Sequence, residues 1–435
     1  MGAQPNDCID SNTFTLPSHE VENLSDEESA ERIAQHFATI SQEYPPLDVT
    51  CVESPPSVSD YEAYRQIRAA KKPRSGVPND LPRQITQEFA PVLATPVGQI
   101  ITNIVKTGEW PRQWKMEHIV PIGKVPMPES EDDLRPISLT SFFSKVTEHF
   151  VVNWLIEFIK DKIDFRQYGG LKGNSITHYL IEFINFILSC QDNTDQTAIL
   201  ACMVDFSKAF NRQNHNLLVT KLSDMGVPAW LLKIVIAFLS DRRMLVKYKG
   251  KESTVKYLPG GGPQGTLLGL LLFIVMINDV GFVGQENNVG ELITSKRNMK
   301  KVNEIHLKYV DDLTLAEAIN LPKNVVSLAD HERPQPDMYH ARTGHVLPLD
   351  KSNVHKQLIK TLEYARDNEM KINYKKSKVM IFNPCTSIDF LPELSLDNNE
   401  LEVVDEIRLL GLVIRSDLRW MSNTDSMVKK ANKRL

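Results

Sequence analysis

Three aspartates carry the clearest chemical signal in this chain. Asp205 ends a run of seven apolar residues, Ala198-Ile-Leu-Ala-Cys-Met-Val204. Asp311 and Asp312 stand side by side in Tyr309-Val-Asp-Asp312. Carboxylates are costly to bury unless they bind a metal or pair with cations. A hard divalent ion such as Mg²⁺ takes oxygen ligands and keeps substrate phosphates in its shell. Two such ions, held by two or three carboxylates, can clamp the attacking and leaving oxygens of a phosphoryl transfer. The pattern alone is weak, because an Asp after a strand is ordinarily a turn residue or a helix cap.

The elements around these residues sharpen it. The apolar run before Asp205 predicts a buried central strand. Glu304–Lys308 and Thr314–Glu317 predict the arms of a hairpin with the Asp pair at its tip. Ser25-Asp-Glu-Glu28, followed by Ala30, Ile33, Ala34, Phe37 and Ile40, predicts a capped amphipathic helix. Helical spacing recurs over 61–70, 85–107 (ended by Trp110-Pro111), 142–160, 175–190, 213–239 and 354–369. Strands are expected at 118–122 and 378–382, with a strand pair over 401–415. Met244–Gly250 and Ser253–Leu258 read as a hairpin around a Lys-Gly-Lys-Glu turn. Thr266–Ile277 reads as a buried helix, and 284–302 and 320–355 as polar or irregular.

Composition sets the class. With 42% hydrophobic and 24% charged residues, the chain is an ordinary globular protein. Its net charge of -5 hides an asymmetry: residues 1–60 hold twelve acidic residues and one Arg, so the rest carries +6. Arg65, Arg68, Lys71, Lys72 and Arg74 cluster within that basic body, which is compatible with a nucleic-acid partner. Residues 44–60 are rich in Pro and Ser and read as a linker. Cys8, Cys51, Cys190, Cys202 and Cys385 form no C-x-x-C pair, so no zinc site, redox motif or disulfide partner is implied. Free thiols point to a reducing, intracellular setting, nucleus or cytoplasm left open. His331, His340, His345 and His355 fit no standard zinc spacing. The first residues, with no basic n-region or apolar core, lead us to expect no secretory signal, and the longest apolar stretch falls short of the roughly 20 residues a membrane helix needs.

Several stretches then resemble, in order, the motifs of non-LTR retrotransposon reverse transcriptases. Val204-Asp-Phe-Ser-Lys-Ala-Phe-Asn211 is similar to motif A. Pro259-Gly-Gly-Gly-Pro-Gln-Gly-Thr-Leu-Leu-Gly269 is similar to motif B, and Tyr309-Val-Asp-Asp312 to motif C. Met370-Lys-Ile-Asn-Tyr-Lys-Lys-Ser377 resembles motif D, and Leu409-Leu-Gly-Leu412 the primer grip. Upstream, Gly108–Lys115, Pro121-Ile-Gly-Lys124 and Arg135-Pro-Ile-Ser-Leu139 resemble the fingers motifs. A single match would carry little; an ordered series over residues 60–420 carries much more.

The resemblance implies an α+β right-hand polymerase fold with fingers and palm, an antiparallel palm sheet packed on helices, and a truncated thumb. It implies a leader and linker over 1–60, partly disordered, and a helical extension of the fingers over 61–103. The reverse transcriptase domain would span 104–415 and the start of the thumb 416–435. The activity implied is RNA-directed DNA synthesis, adding dNTPs to a primer 3′-OH on an RNA template with two Mg²⁺ ions, for which Mn²⁺ could substitute. Asp205, Asp311 and Asp312 would be the catalytic and metal-binding carboxylates, joined by the Phe206 carbonyl. Lys124 and Arg135 would hold the triphosphate, Phe210 would exclude a ribose 2′-OH, and Gln264 and Gly265 would meet nucleotide and template. Lys376 would donate a proton to pyrophosphate, and Leu410 and Gly411 would grip the primer. The sequence departs from the family at Asn211, where Asp is usual, and at Leu270, where Pro is usual; neither position is a metal ligand. Two other readings stand beside this one: an inactive retroelement remnant that only binds nucleic acid, and an RNA-dependent RNA polymerase.

Overall fold

The computed structural model describes residues 14–44, 49, 55–70, 80–125, 127–193, 197–280, 304–320, 352–382, 394–397 and 399–432. Its strands, in chain order, are β1 (Met116–Gly123), β2 (Leu134–Leu139), β3 (Thr197–Val204), β4 (Arg242–Tyr248), β5 (Lys251–Glu252), β6 (Lys256–Leu258), β7 (Glu304–Tyr309), β8 (Asp312–Asn320), β9 (Lys378–Phe382), β10 (Ser395–Leu396), β11 (Asn399–Glu400), β12 (Glu402–Val403), β13 (Glu406–Leu409) and β14 (Leu412–Arg415). Helices alternate with them, so the class is mixed α+β. The chain divides into two compact units, each built from separate stretches of sequence. The aspartate unit joins 164–207 to 279–435; the N-terminal unit joins 5–163 to 208–278.

In the aspartate unit a five-stranded sheet runs β12-β9-β3-β8-β7. β3 lies in the middle, antiparallel to β8 and β9, and all eight of its residues are buried. Burial on both faces is why its sequence is continuously apolar rather than alternating. The helix Ile176–Asn193 covers one face: the Tyr179 hydroxyl donates to Thr314, and the Phe183 ring meets Phe382 edge-on at 6.0 Å. The helix Asn353–Asp367 starts on the other face. Glu317 accepts from its Ser352 cap and from the Asn353 amide. Thr314 and Glu317 are an odd number of residues apart on β8, which places these contacts on opposite faces. A separate hairpin, β13–β14, carries the helix Met421–Asn432, whose Asn423 accepts from the Val413 amide at 3.2 Å.

The N-terminal unit has a sheet ordered β2-β1-β4-β5, with β6 also on β4; β1 runs parallel to β4. Its main core comes from helices, with Val97 and Ile101 (Ala90–Thr107), Val151 and Leu155 (Phe142–Ile159), Ile234 and Phe238 (Ala229–Leu239), and Leu268 and Leu272 (Leu267–Met276). A second core lies where the helix Asp26–Ile40 meets the sheet. Its Ala30, Ile33, Ala34 and Phe37 pack with Met244, Val246 and Tyr248. The expected capping box is present, with Ser25 and Glu28 bonding reciprocally. The acidic residues of this helix face lysines of the β4–β6 segment: Asp26 with Lys249 of the β4–β5 turn, Glu27 with Lys251, Glu31 with Lys256. The acid-rich leader is therefore partly matched by the basic body that follows it.

Local details differ from expectation for identifiable reasons. The 85–107 helix breaks at Phe89 and ends on Gly108, whose φ of 71° forms a left-handed cap before Trp110-Pro111 is reached. The 213–239 stretch is two helices, His215–Asp224 and Ala229–Leu239, separated at Gly226-Val-Pro228. The β4–β5 turn is Lys249-Gly250 alone, with both φ values positive as a two-residue type I′ turn requires. Cys190 and Cys202 are buried, and burial pushes the Cys202 thiol up to about 12. His355 lies on the helix Asn353–Asp367. Among the described residues no helix is long and apolar enough to cross a membrane. Lys71, Lys72, Arg74, the polar stretch 284–302, most of 320–355 with His331, His340 and His345, and Cys8, Cys51 and Cys385 lie outside the described residues.

Candidate functional site

The last ladder pair of β3 and β8 is Val204 with Leu313. One further step sets Asp205 across from Asp312. Tyr309 pairs with Asp312, so β7 and β8 are joined by a two-residue turn, Val310-Asp311. The structure thus brings the three predicted aspartates to one end of one sheet. Val310 has φ 57°. A positive first position fits a type II′ turn, where Gly is usual. A β-branched residue there is strained and persists only when its surroundings enforce it.

Asp205 is fixed from the β9 side. Its amide donates to Ser377 Oγ at 3.1 Å, and its carbonyl accepts from Asn373 at 2.8 Å. Ser207 donates to Lys371 at 2.7 Å, so Phe206 and Ile372 oppose each other without bonding directly. Alternation along an extended strand then turns the Phe206 carbonyl the other way, toward β8 and the Asp pair. The segment that holds Asp205 is the one containing Lys376, whose amide bonds the Asn373 carbonyl at 3.1 Å. Lys375 and Lys376 are both exposed, whereas Lys378 is paired with Glu402. Leu410 and Gly411 form the two-residue turn of β13–β14, a sheet that shares no pairing with the five-stranded one.

A group of residues behind the turn was not anticipated. Gln167 Oε1 accepts from both the Val310 and Gly169 amides at 2.9 Å, which fixes the amide's orientation. A Cβ on Gly169 would lie 2.5 Å from the Val310 nitrogen, so the turn rests directly on glycine backbone. Lys308 donates to the Arg166 carbonyl at 3.0 Å, and the Tyr168 amide donates to the Lys308 carbonyl at 2.8 Å. Below this seam lies a buried ionic group. Asp164 receives Lys308 at 2.9 Å and Arg166 at 2.9 Å, and His306 stands 3.5 Å away. Burial opposes the Asp164 charge, but His306, Lys308 and Arg166 hold its carboxyl far below the ordinary range. Burial lowers Lys308 to about 8 and His306 to about 4. Arg166 donates to His306 Nδ1 at 2.8 Å, the bond of a neutral ring. The sequence signal was slight: Gln-Tyr-Gly-Gly at 167–170, and polar residues at every second place on β7.

The other predicted residues gather in the N-terminal unit. Ile122 pairs with Arg135 and Gly123 with Leu134, so Lys124 and Arg135 sit at one end of the β1–β2 ladder. Lys124 Nζ donates to the Asp132 carbonyl at 2.6 Å. Farther along β2, the Ser138 amide donates to the Gln264 carbonyl at 2.8 Å. Gly265, at φ 102°, lies over Ile137 and Ser138. The Gly262 amide donates to the Phe210 carbonyl at 2.8 Å. The half-buried Phe210 ring stacks on the fully buried Phe273, with centroids 4.3 Å apart and 20° between planes. Phe210 therefore has one face committed to the core.

The three aspartates and the Phe206 carbonyl are oxygen donors, the kind a hard divalent cation prefers. Among the described residues no three His, Cys, Asp or Glu side chains converge as a metal cluster. Asp205, Asp311 and Asp312 share one end of the sheet without their side chains meeting as such a cluster.

Positions 125–335 match the family described as reverse transcriptase (RNA-dependent DNA polymerase). The probable RNA-directed DNA polymerase from transposon BS of Drosophila melanogaster is 30% identical over 251 residues, 57% of this chain and 27% of that protein. The RNA-directed DNA polymerase from mobile element jockey of the same organism is 28% identical over 184 residues, 42% of this chain and 20% of that one. The chain thus spans about a quarter or less of these relatives' own length. Among solved structures, apo telomerase from Candida tropicalis, truncated from its C-terminal domain, overlaps 75% of this chain and 59% of that one, with TM-score 0.40 and 12% identity.

Proposed function

This chain carries a reverse transcriptase domain related to those of the Drosophila non-LTR retrotransposons BS, jockey and X-element, and on that premise we propose that it is an RNA-directed DNA polymerase acting through Asp205, Asp311 and Asp312. The observation that carries this reading is the β3–β8 register, which sets a lone aspartate across from an aspartate pair. The orientation of the Phe206 carbonyl adds a fourth oxygen donor on the same side. These groups would hold two Mg²⁺ ions, or Mn²⁺ in their place. When bound, the metal supplies Lewis-acid activation of the primer 3′-OH and neutralises charge developing on phosphorus.

The chain's own residues do the rest. Ser377 and Asn373 fix the Asp205 backbone, and Gln167 fixes that of Val310. In the N-terminal unit, Lys124 and Arg135 are suited to phosphate, Arg135 by bidentate bonds and Lys124 as a point charge. Phe210, braced on Phe273, is suited to reject a 2′-OH, and Gln264 with Gly265 to meet nucleotide and template. Lys376 is the proton donor to pyrophosphate, and Leu410 with Gly411 the primer grip. In these terms the five-stranded sheet of the aspartate unit is the palm, and residues 416–435 begin a thumb. Residues 1–60 are a leader, 61–103 an extension of the fingers, and 104–415 the reverse transcriptase domain. RNA template, DNA primer and dNTPs are the partners, with binding that weakens as salt rises.

Primer extension on an RNA template tests this. The wild-type chain should incorporate dNTPs in preference to rNTPs. Asp205→Ala and Asp311→Ala should abolish incorporation while leaving circular dichroism unchanged. Incorporation by the alanine variants at wild-type rate would overturn the assignment. No incorporation by the wild type would favour a binding-only remnant, and preference for rNTPs an RNA polymerase.

A further inference from the structure

The helix Leu267–Met276 starts two residues after Gln264-Gly265. The first amides of a helix have no partner within it. Here the Gly269 amide donates to Thr266 Oγ at 3.1 Å. The Leu267 and Leu268 amides go elsewhere, to Glu148 Oε2 at 3.1 and 3.3 Å. Glu148 lies on the helix Phe142–Ile159 and has no exposed surface. Its other oxygen accepts from Ser144 Oγ at 3.3 Å. A fully buried acid, distant in sequence, thus caps the helix that follows the predicted nucleotide-contacting turn.

We propose that Glu148 is a positioning residue for nucleotide binding: its carboxylate anchors the start of the Leu267–Met276 helix and thereby fixes the Gln264–Gly265 turn. The inference rests on the reading of Gln264 and Gly265 given above. The turn is held from its other side by the Ser138 amide on the Gln264 carbonyl. Ser138 is itself tied in, since its hydroxyl donates to Glu117, which is paired with the buried Arg242. Movement at either anchor would reach Gln264 directly.

The charges facing Glu148 are Arg242 of β4 and Lys145 on its own helix, and both favour the anion. Burial is the stronger influence and pushes the carboxyl up to about 7. The group therefore changes charge near neutrality. An ionised carboxylate is a stronger acceptor for two amides than the neutral acid. The anchor should loosen as the pH falls through 7.

Full-length Glu148→Ala and Glu148→Gln separate this from a purely structural role. Hydrogen exchange over 264–270 should rise about ten-fold in Glu148→Ala, the scale of losing a buried acceptor. Exchange in 304–320 should not change. KM for dNTP should rise by a similar factor, with kcat nearly kept. Wild-type KM should climb between pH 8 and pH 6. Glu148→Gln, which keeps an acceptor that cannot titrate, should retain slow exchange and show a flat KM over that range. Unchanged exchange over 264–270 in Glu148→Ala, or the same KM profile in Glu148→Gln as in wild type, would overturn the proposal. If Glu148→Ala does not fold, the Glu148→Gln profile still decides. If the wild type does not extend a primer, the reading of Gln264 fails, and exchange alone judges the anchor.

Discussion

Two hairpin turns of the aspartate unit make the same unusual choice and are treated differently by their surroundings. Val310-Asp311 and Leu410-Gly411 are both two-residue turns, and each opens with a bulky residue at positive φ, 57° and 48°. Val310 is 3% exposed, lies against Gly169, and has its amide held by Gln167. Leu410 is half-buried, and a Cβ on Gly411 would meet nothing within 4 Å. Strain at Val310 is enforced from outside the hairpin, across more than a hundred residues of sequence. At Leu410 the following glycine takes the second positive φ without strain, and the turn closes with little help. The turn that carries the Asp pair is enforced by residues distant in sequence, whereas the Leu410-Gly411 turn has a glycine to take its second positive φ.

The comparison can be broken where it is tightest. Gly169→Ala puts a methyl group into the Val310 backbone, and we expect a loss of about 1–3 kcal/mol in denaturant stability, together with loss of primer extension. Wild-type stability and extension in that variant would mean that the turn is not enforced from Gly169. The ionic group beneath the seam gives a pH signature. The folded pKa of His306, about 4, lies below its unfolded value of about 6.5. Unfolding therefore takes up a proton as the pH falls. Stability is fully present above pH 6.5 and is lost progressively toward pH 4, by about 3 kcal/mol at most. Denaturant melts should show that slope in the wild type and a much smaller one in His306→Gln. The smallest effect belongs to the second turn. Leu410→Gly should raise stability by about 0.5–1 kcal/mol, because relief at positive φ exceeds the added chain entropy. A destabilised Leu410→Gly would show that this turn is also held by its neighbours.

What the sequence revealed follows from the range of the interactions involved. β3 was legible because burial on both faces leaves an unbroken apolar run, and the Asp at its end stands out against it. The β7–β8 hairpin was legible because the Asp pair interrupts two strand-forming segments. Gln167 and Glu148 were not. Each acts on backbone amides more than a hundred residues away, and a backbone amide has no sequence signature. Glu148 falls on a helix whose apolar spacing gives an acid no reason to be buried. Gly108 as the true helix end, and Lys249-Gly250 as the whole of its turn, were obscured by stronger breakers or longer polar stretches beside them. In the N-terminal unit the spacing of Lys124, Arg135, Phe210 and Gln264 did not show that β2 and the Gly262 amide draw them into one neighbourhood. The family motifs supplied the roles expected of them.

On the proposed function, Asp205, Asp311 and Asp312 hold divalent metal at one site. Titrating the full chain with Mn²⁺ and following free Mn²⁺ by electron paramagnetic resonance tests it without any need for turnover. Saturable binding in the wild type is predicted, weakened at least about ten-fold in Asp205→Asn and in Asp311→Asn, as expected when a charged ligand is lost. As a control, Asp417→Asn, at an exposed carboxylate paired with Arg415 at 3.0 Å, should bind as the wild type does. Equal Mn²⁺ affinity in wild type, Asp205→Asn and Asp311→Asn would contradict the account.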